Sequence, residues 1–356
     1  MFERMAPEQH DTLPDIPEPG ENPFLAGHGE ARSALAGAYR SGRLHHALLF
    51  AGPPGIGKAT LAFHFAQHIF AHPDPGKAPG EMAPPDPASQ AFRQAAQGAH
   101  SGLLHLTRPF VERDKKFKTV ITVDEIRRVS RFLSLTPPDG GYRVVLVDPA
   151  DDMNVSAANA LLKSLEEPPA RTLFILIAHS LGRLLPTIRS RCQVVKLQPL
   201  QAPELEDLLG RLGADMPDEA GLRHLLIERS RGSARNAVLL TQFGGLELTQ
   251  VLDRLLSGRR FNVAEAHRLA EAATGRDRQV QFDILNRACL DLLSDTAAQA
   301  ARDGDIQTGE RLAAEWEGLA RAIEDAETYN LDRKQHILGM LGRLHRTLGG
   351  LHSQSA

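Results

Sequence analysis

Two hydrophobic patterns divide this chain. Up to about residue 198, short unbroken apolar runs alternate with segments whose apolar positions recur at helical spacing. Beyond it, only the helical spacing remains. The runs Ala47-Leu48-Leu49-Phe50, Leu103–Leu106, Tyr142–Asp148, Leu173–Ala178 and Cys192–Leu197 read as strands. Tyr142–Asp148 is continuous rather than alternating and ends in a carboxylate, and such a strand is covered on both faces, as in a parallel sheet. Helices are expected over Glu30–Ser41 with Leu35 and Tyr39 inward, over Leu61–Phe70, and, more briefly, near Gln90–Gln97. Thr122 and Glu125 have capping-box spacing ahead of a helix burying Ile126, Val129 and Leu133, stopped by Thr136–Gly141. Asn154 can cap a helix carrying Ala157, Ala158, Leu161, Leu162 and Leu165, and Leu184–Arg189 is a short one. Strands alternating with helices predict a doubly wound α/β domain over residues 23–198.

The rest is expected as a small helical lid, 199–245, and a helical bundle, 246–350, with Phe282, Leu285, Leu290, Leu292 and Leu293 in its core. Trp316 is expected to pack rather than bind. Residues 1–22, rich in Pro, Asp and Glu, predict a disordered lead-in. The Pro/Gly/Ala-rich stretch 72–100 is too long for an ordinary loop and reads as an insertion.

Charge changes the picture only by exclusion. A formal net charge of −3 lacks the basic footprint of an autonomous DNA binder, so nucleic-acid contact has to be local. The charged tip Arg113–Lys118 is one place for it, although a solvated hairpin explains the tip equally. Cys192 and Cys289 have no metal-ligand spacing. No signal peptide or membrane-length apolar run is present, and the expected setting is the reducing cytoplasm.

Chemistry concentrates where the first strand ends. Gly52-Pro53-Pro54-Gly55-Ile56-Gly57-Lys58-Ala59-Thr60 follows a strand and opens a helix, the layout of a P-loop. Its glycines let backbone N–H groups turn toward a phosphate, the helix N-terminus adds positive charge, and Lys58 brings a cation to the β- and γ-phosphates. Gly52, Gly55, Gly57, Lys58 and Thr60 are therefore candidate nucleotide-binding residues, joined by Asp148, which ends an apolar strand as a Walker B acid does. A strand-end Asp that merely caps a turn is the alternative.

Two positions depart from an active site. Ala59 stands where a Ser or Thr hydroxyl holds Mg²⁺, and Thr60 lies about 100° further round the helix, so it cannot simply replace it. Pro149 stands where a carboxylate polarises the attacking water; Asp151 and Asp152 would have to fold back to supply one. Binding can survive these changes, and hydrolysis is not expected to. Arg191, in Ser190-Arg191-Cys192, can act as an arginine finger toward a neighbour's nucleotide or make an ordinary surface salt bridge.

Taken together, Gly42–Ala47, the P-loop, Val147–Asp151, Asn159–Pro169 and Ser190–Cys192 resemble, in order, the clamp-loader branch of the AAA+ ATPases. The resemblance covers about residues 22–240. It matches Gly232-Ser233-Ala234-Arg235-Asn236-Ala237 to the sensor 2 segment, which implies Arg235 near the nucleotide, and it implies a ring-forming collar for the C-terminal helices. The branch's motor subunits, gamma/tau, carry the P-loop hydroxyl, an Asp-Glu Walker B pair and a four-Cys zinc module. This chain has Ala59, Asp148-Pro149 and a cysteine-free insertion, which excludes the zinc, and Ala178-His179-Ser180 lacks the Thr of sensor 1. The resemblance thus implies a stator subunit in DNA replication with a degenerate ATP or ADP site (and Mg with the nucleotide) and Arg191 donated in trans. Implied partners are gamma/tau and delta subunits, the sliding clamp and primed DNA, with no membrane. A gamma/tau-type ATPase and an interaction module with no nucleotide are the alternatives.

Overall fold

A computed structural model describes residues 4–135, 141–275 and 278–352. The expected helix stop at 136–140 lies outside the described residues. The chain falls into two compact units, one of residues 1–213 with 227–236 and one of 214–226 with 237–356. The stretch expected as one lid is therefore shared between them.

The first unit begins with α1 (Gly29–Arg40), β1 (Ala47–Ala51), α2 (Lys58–Ala71), α3 (Gln90–Ala96) and β2 (Leu103–Leu106). A small hairpin, β3 (Phe110–Val111) and β4 (Lys116–Phe117), precedes α4 (Val123–Ser134). Then come β5 (Arg143–Val147), α5 (Val155–Glu166), β6 (Thr172–Ala178), α6 (Pro186–Arg189), β7 (Gln193–Lys196) and α7 (Ala202–Arg211). The sheet is parallel throughout, in the order β2-β5-β6-β1-β7. Side chains alternate across it at the strand period of two. Leu48 and Phe50 of β1 join Leu35, Tyr39, Leu61 and Phe65 on one face. Ala47 and Leu49 join Ile126, Val129, Leu161 and Leu165 of α4 and α5 on the other. Both layers are buried, which is why the central strands β1 and β6 are almost wholly apolar.

Two local expectations change. Residues 4–22 are not a disordered lead-in: Leu13, Glu18 and Glu21 are buried, and the Glu21 carboxylate accepts from the N–H groups of Met5, Ala6 and Glu18. Sparse apolar anchors concealed an arrangement built on carboxylate-to-backbone hydrogen bonds. Thr122 does stand at the N-cap of α4, but its side chain makes no capping bond, and Glu125 pairs with Arg128 at 2.6 Å instead. The insertion packs, burying Ala78, Met82, Phe92, Ala95 and Ala96. Its α3 is capped by the Ser89 hydroxyl, which accepts from Phe92 N.

Two helices, α8 (Ala220–Ser230) and α9 (Ala234–Gln242), carry residues of both units. The second unit is built of α10 (Gly245–Ser257), α11 (Val263–Thr274), α12 (Gln279–Arg302), α13 (Ile306–Thr328) and α14 (Arg333–His352). They enclose one core, in which Phe282, Leu285, Leu293, Leu312 and Leu341 are buried and Leu290 and Leu292 pack at the edge. Trp316 differs from expectation. It is exposed, because α13 turns only the row Leu312, Leu319 and Ala326 fully inward. Among the described residues no helix is long and apolar enough to cross a membrane.

Candidate nucleotide site

The switch in strand order places a crevice at the carboxyl end of β1, between β6 and β7, where doubly wound sheets bind their ligands. The glycine loop leaves β1 there and enters α2 through Gly57, whose φ of 100° no side chain tolerates well. Gly55, with φ 74°, has no room for a side chain. A Cβ there would stand 2.3 Å from Ser233 Oγ and 2.6 Å from Arg235 Cβ. Gly52 is tight as well, since a Cβ added to it would meet the Leu197 carbonyl oxygen at 2.4 Å. Ser233 and Arg235 thus lie directly on the loop, and Arg235 N approaches Gly55 O at 3.4 Å.

Lys58 is 3% exposed, and its ammonium donates to the carbonyls of Gly52 at 2.8 Å and Pro53 at 2.6 Å. Burial pulls it down to about 8, against the attraction of Asp148 and Asp151. Asp148, half-buried at the end of β5, is pushed up to about 7 by burial first and the Asp11 carboxylate second, with Lys58 working against both. Lys58 and Asp148 are therefore close enough to act on one another electrostatically. Thr60 is buried, and Ala59 packs against the core beside α2. Neither points to a replacement for the absent metal ligand.

The two remaining carboxylates are committed elsewhere. Asp151 accepts from His179 N at 3.1 Å and Ser180 N at 3.1 Å, holding the end of β6. Asp152 accepts from Arg108 Nε at 2.6 Å. Arg191 lies apart from these groups, half-buried after α6, with Nη1 donating to Thr187 O at 2.9 Å and Nη2 paired with Glu166. The His45-His46 pair is structural, since His46 Nε2 donates to Leu165 O and His45 Nδ1 to Ala47 O.

Sequence reasoning missed two residues here. His28 Nε2 donates to Ile56 O at 2.7 Å, bracing the loop from outside. Asp11 reaches Arg235, 3.3 Å from its Nη1. His28 could have been suspected from its place at the start of the folded region; nothing in the sequence around Asp11 signalled it.

A strand-loop-helix cradle on a parallel sheet, with a lysine and a strand-end acid near the loop, defines a P-loop α/β domain. Lys58 is the cation at this loop, held by the Gly52 and Pro53 carbonyls, and Ala59 offers no hydroxyl to a metal ion. The family described as DNA polymerase III, delta subunit, matches residues 27–201. It is 42% identical over 175 residues to the DNA polymerase III subunit delta' of Pseudomonas aeruginosa, covering 49% of this chain and 48% of that one. With subunit delta' of Escherichia coli it shares 35% over 166 residues, 46% of each chain. The tau subunit of Escherichia coli is 26% identical over 325 residues, 90% of this chain and 43% of tau. The chain spans about half the length of the curated relatives it matches. A solved gamma subunit-related protein of Thermotoga maritima overlays with a TM-score of 0.45 at 18% identity, over 90% of this chain and 100% of that one.

Proposed function

We propose that this chain is a clamp-loader subunit of DNA polymerase III that acts in cytoplasmic DNA replication as a stator. It docks beside a gamma/tau ATPase and a delta subunit and helps place the sliding clamp on primed DNA. The helices of 246–350 serve as its collar in the ring. The observation that carries the reading is the state of the carboxylates around the P-loop. Pro149 has none to offer, and Asp151 and Asp152 are both held by other partners. Besides Asp148 itself, no carboxylate of the Asp148–Asp152 run is left to polarise water, and Asp11 is paired with Arg235, which favours a reading of ATP or ADP binding without hydrolysis.

What the chain contributes to catalysis is then Arg191, extended toward the neighbour's nucleotide. Fingers of this kind contribute on the order of 10³–10⁵ in rate at the site they serve. The test is reconstitution with gamma/tau and delta subunits. Arg191→Ala should lower DNA-stimulated ATP turnover and clamp loading while the complex still assembles; full turnover by the variant complex would overturn the assignment.

The match to tau over most of this chain favours one other reading, an active gamma/tau-type ATPase that tolerates Ala59. ATP turnover by the isolated chain, abolished by Lys58→Ala, would establish it instead.

A further inference from the structure

The segment before the folded domain is attached to the nucleotide site in an uneven way. Its C-terminal end is fixed to α2. The Gly20 backbone sits on the Phe63 ring, where a Cβ would be 3.0 Å from Cε1, Gln67 Nε2 donates to Gly20 O at 3.4 Å, and His64 Nε2 donates to Asn22 O at 2.8 Å. The segment also closes on itself. Arg4 bridges Glu18 at 2.7 Å and donates to Leu13 O at 2.8 Å, while Glu21 gathers the N–H groups of Met5, Ala6 and Glu18.

The tip, Gln9 to Thr12, is held differently. It reaches the crevice mouth, where the charged groups around His10 are Asp11, Arg108, Asp152 and Arg235. The ion pair it makes across the site is Asp11 to Arg235 at 3.3 Å, with the Asp11 side chain 49% exposed. Gln9 Oε1 and His10 Nδ1 are buried without a hydrogen-bond partner, so the tip's seat is imperfect. A firm root and a weakly held acidic tip describe a strap that can lift.

We propose that residues 4–22 are an intramolecular strap over the phosphate end of the P-loop site, with the Asp11 carboxylate holding Arg235 in place of a nucleotide phosphate. A carboxylate and a phosphate compete for the same guanidinium, because both offer paired anionic oxygens to its fork. Asp11 also adds negative charge beside Asp148 at the point where a polyphosphate would arrive. Nucleotide then binds in exchange for the tip, and the subunit passes between a strapped, empty state and an open, loaded one. This rests on reading the P-loop as a nucleotide site.

Titration of the purified full chain with a fluorescent N-methylanthraniloyl ADP tests it. Asp11→Asn should bind about fivefold more tightly than wild type, the scale of one half-exposed ion pair. Removing residues 1–16, which keeps the Gly20 and Asn22 contacts, should tighten binding further. In an Arg235→Ala background, Asp11→Asn should gain clearly less than in wild type, only the part that comes from removing one negative charge beside Asp148. Equal affinity of wild type and Asp11→Asn would overturn the strap while the nucleotide site stands. No ADP binding by any variant, the truncated one included, would overturn both, leaving the stator role to be judged by Arg191.

Discussion

Arg191 Nη2 and Glu166 Oε1 stand 2.5 Å apart, so the Ser-Arg-Cys box and the Leu-Glu-Glu-Pro-Pro box meet through their charged members. Glu166 closes α5 and Arg191 follows α6, and packing between those two helices sets the distance between them. Both side chains are about a third to a half exposed, at 34% and 48%, so the pair adds little to stability. It limits the directions a long, flexible arginine can take, and under the proposed function that would set the aim of Arg191. Glu166→Gln should leave the melting temperature within about 1 °C of wild type. In the reconstituted complex it should lower DNA-stimulated ATP turnover about two- to tenfold, less than Arg191→Ala does. Unchanged turnover would show that Glu166 does not orient the finger.

Gly55→Ala is expected to be costly for two reasons that add. The residue occupies φ 74°, and the new methyl would fall 2.3 Å from Ser233 Oγ and 2.6 Å from Arg235 Cβ. Strain at positive φ costs about 1 kcal/mol and a forced contact about 1–3 kcal/mol, so urea unfolding should report a loss of about 2–4 kcal/mol. The same substitution should push Arg235 off the loop. Gly98→Ala has a similar φ of 67° and open space around it, and should cost only the first part.

Asp151→Ala tests whether the carboxylate near the Walker B position is structural. It would leave the N–H groups of His179 and Ser180 without the oxygen they now share. The expected loss is about 1–3 kcal/mol in chemical denaturation. Asp151→Asn keeps one acceptor oxygen and should recover part of it. If instead Asp151→Ala left stability unchanged and altered ATP turnover in the complex, the residue would belong to the chemistry.

These tests also mark where sequence pattern stopped being informative. The central strands were legible because β1, β5 and β6 are buried along their whole length, whereas the edge strand β7 is mostly exposed and carries Gln193 and Lys196. The P-loop was legible because close approach demands glycine, as Gly55 shows. The partners of the carboxylates were not. Nothing in the run Asp148-Pro149-Ala150-Asp151-Asp152 says that Asp151 turns to the end of β6 and Asp152 to Arg108. Such choices depend on which backbone donors the fold brings near. The N-terminal segment failed for a related reason. It is held by carboxylates on backbone N–H groups, a cohesion that hydrophobic periodicity does not register.

Asp148 makes the crevice pH-sensitive, and the sign follows from the direction of its shift. Its carboxyl is raised from an ordinary 3.8 to about 7 in the folded chain, by burial first and by Asp11 next. Between those values the folded state keeps a proton that the unfolded state has released. Stability from this group is therefore complete below about pH 4, falls as the pH rises toward 7, and is gone above it. Asparagine imitates the protonated form. Asp148→Asn should match wild type near pH 4, gain on it across pH 4–7, and hold a constant advantage from pH 7.5 to 8.5, roughly 2 kcal/mol once solvent screening is allowed for. Urea unfolding at four or five pH values would trace this curve. Because the Asp11 carboxylate is the second cause of the shift, Asp11→Asn should move the midpoint of the wild-type curve to lower pH and shrink the advantage of Asp148→Asn. An advantage that is the same at every pH would mean that Asp148 titrates normally and is not pressed upward by its neighbours.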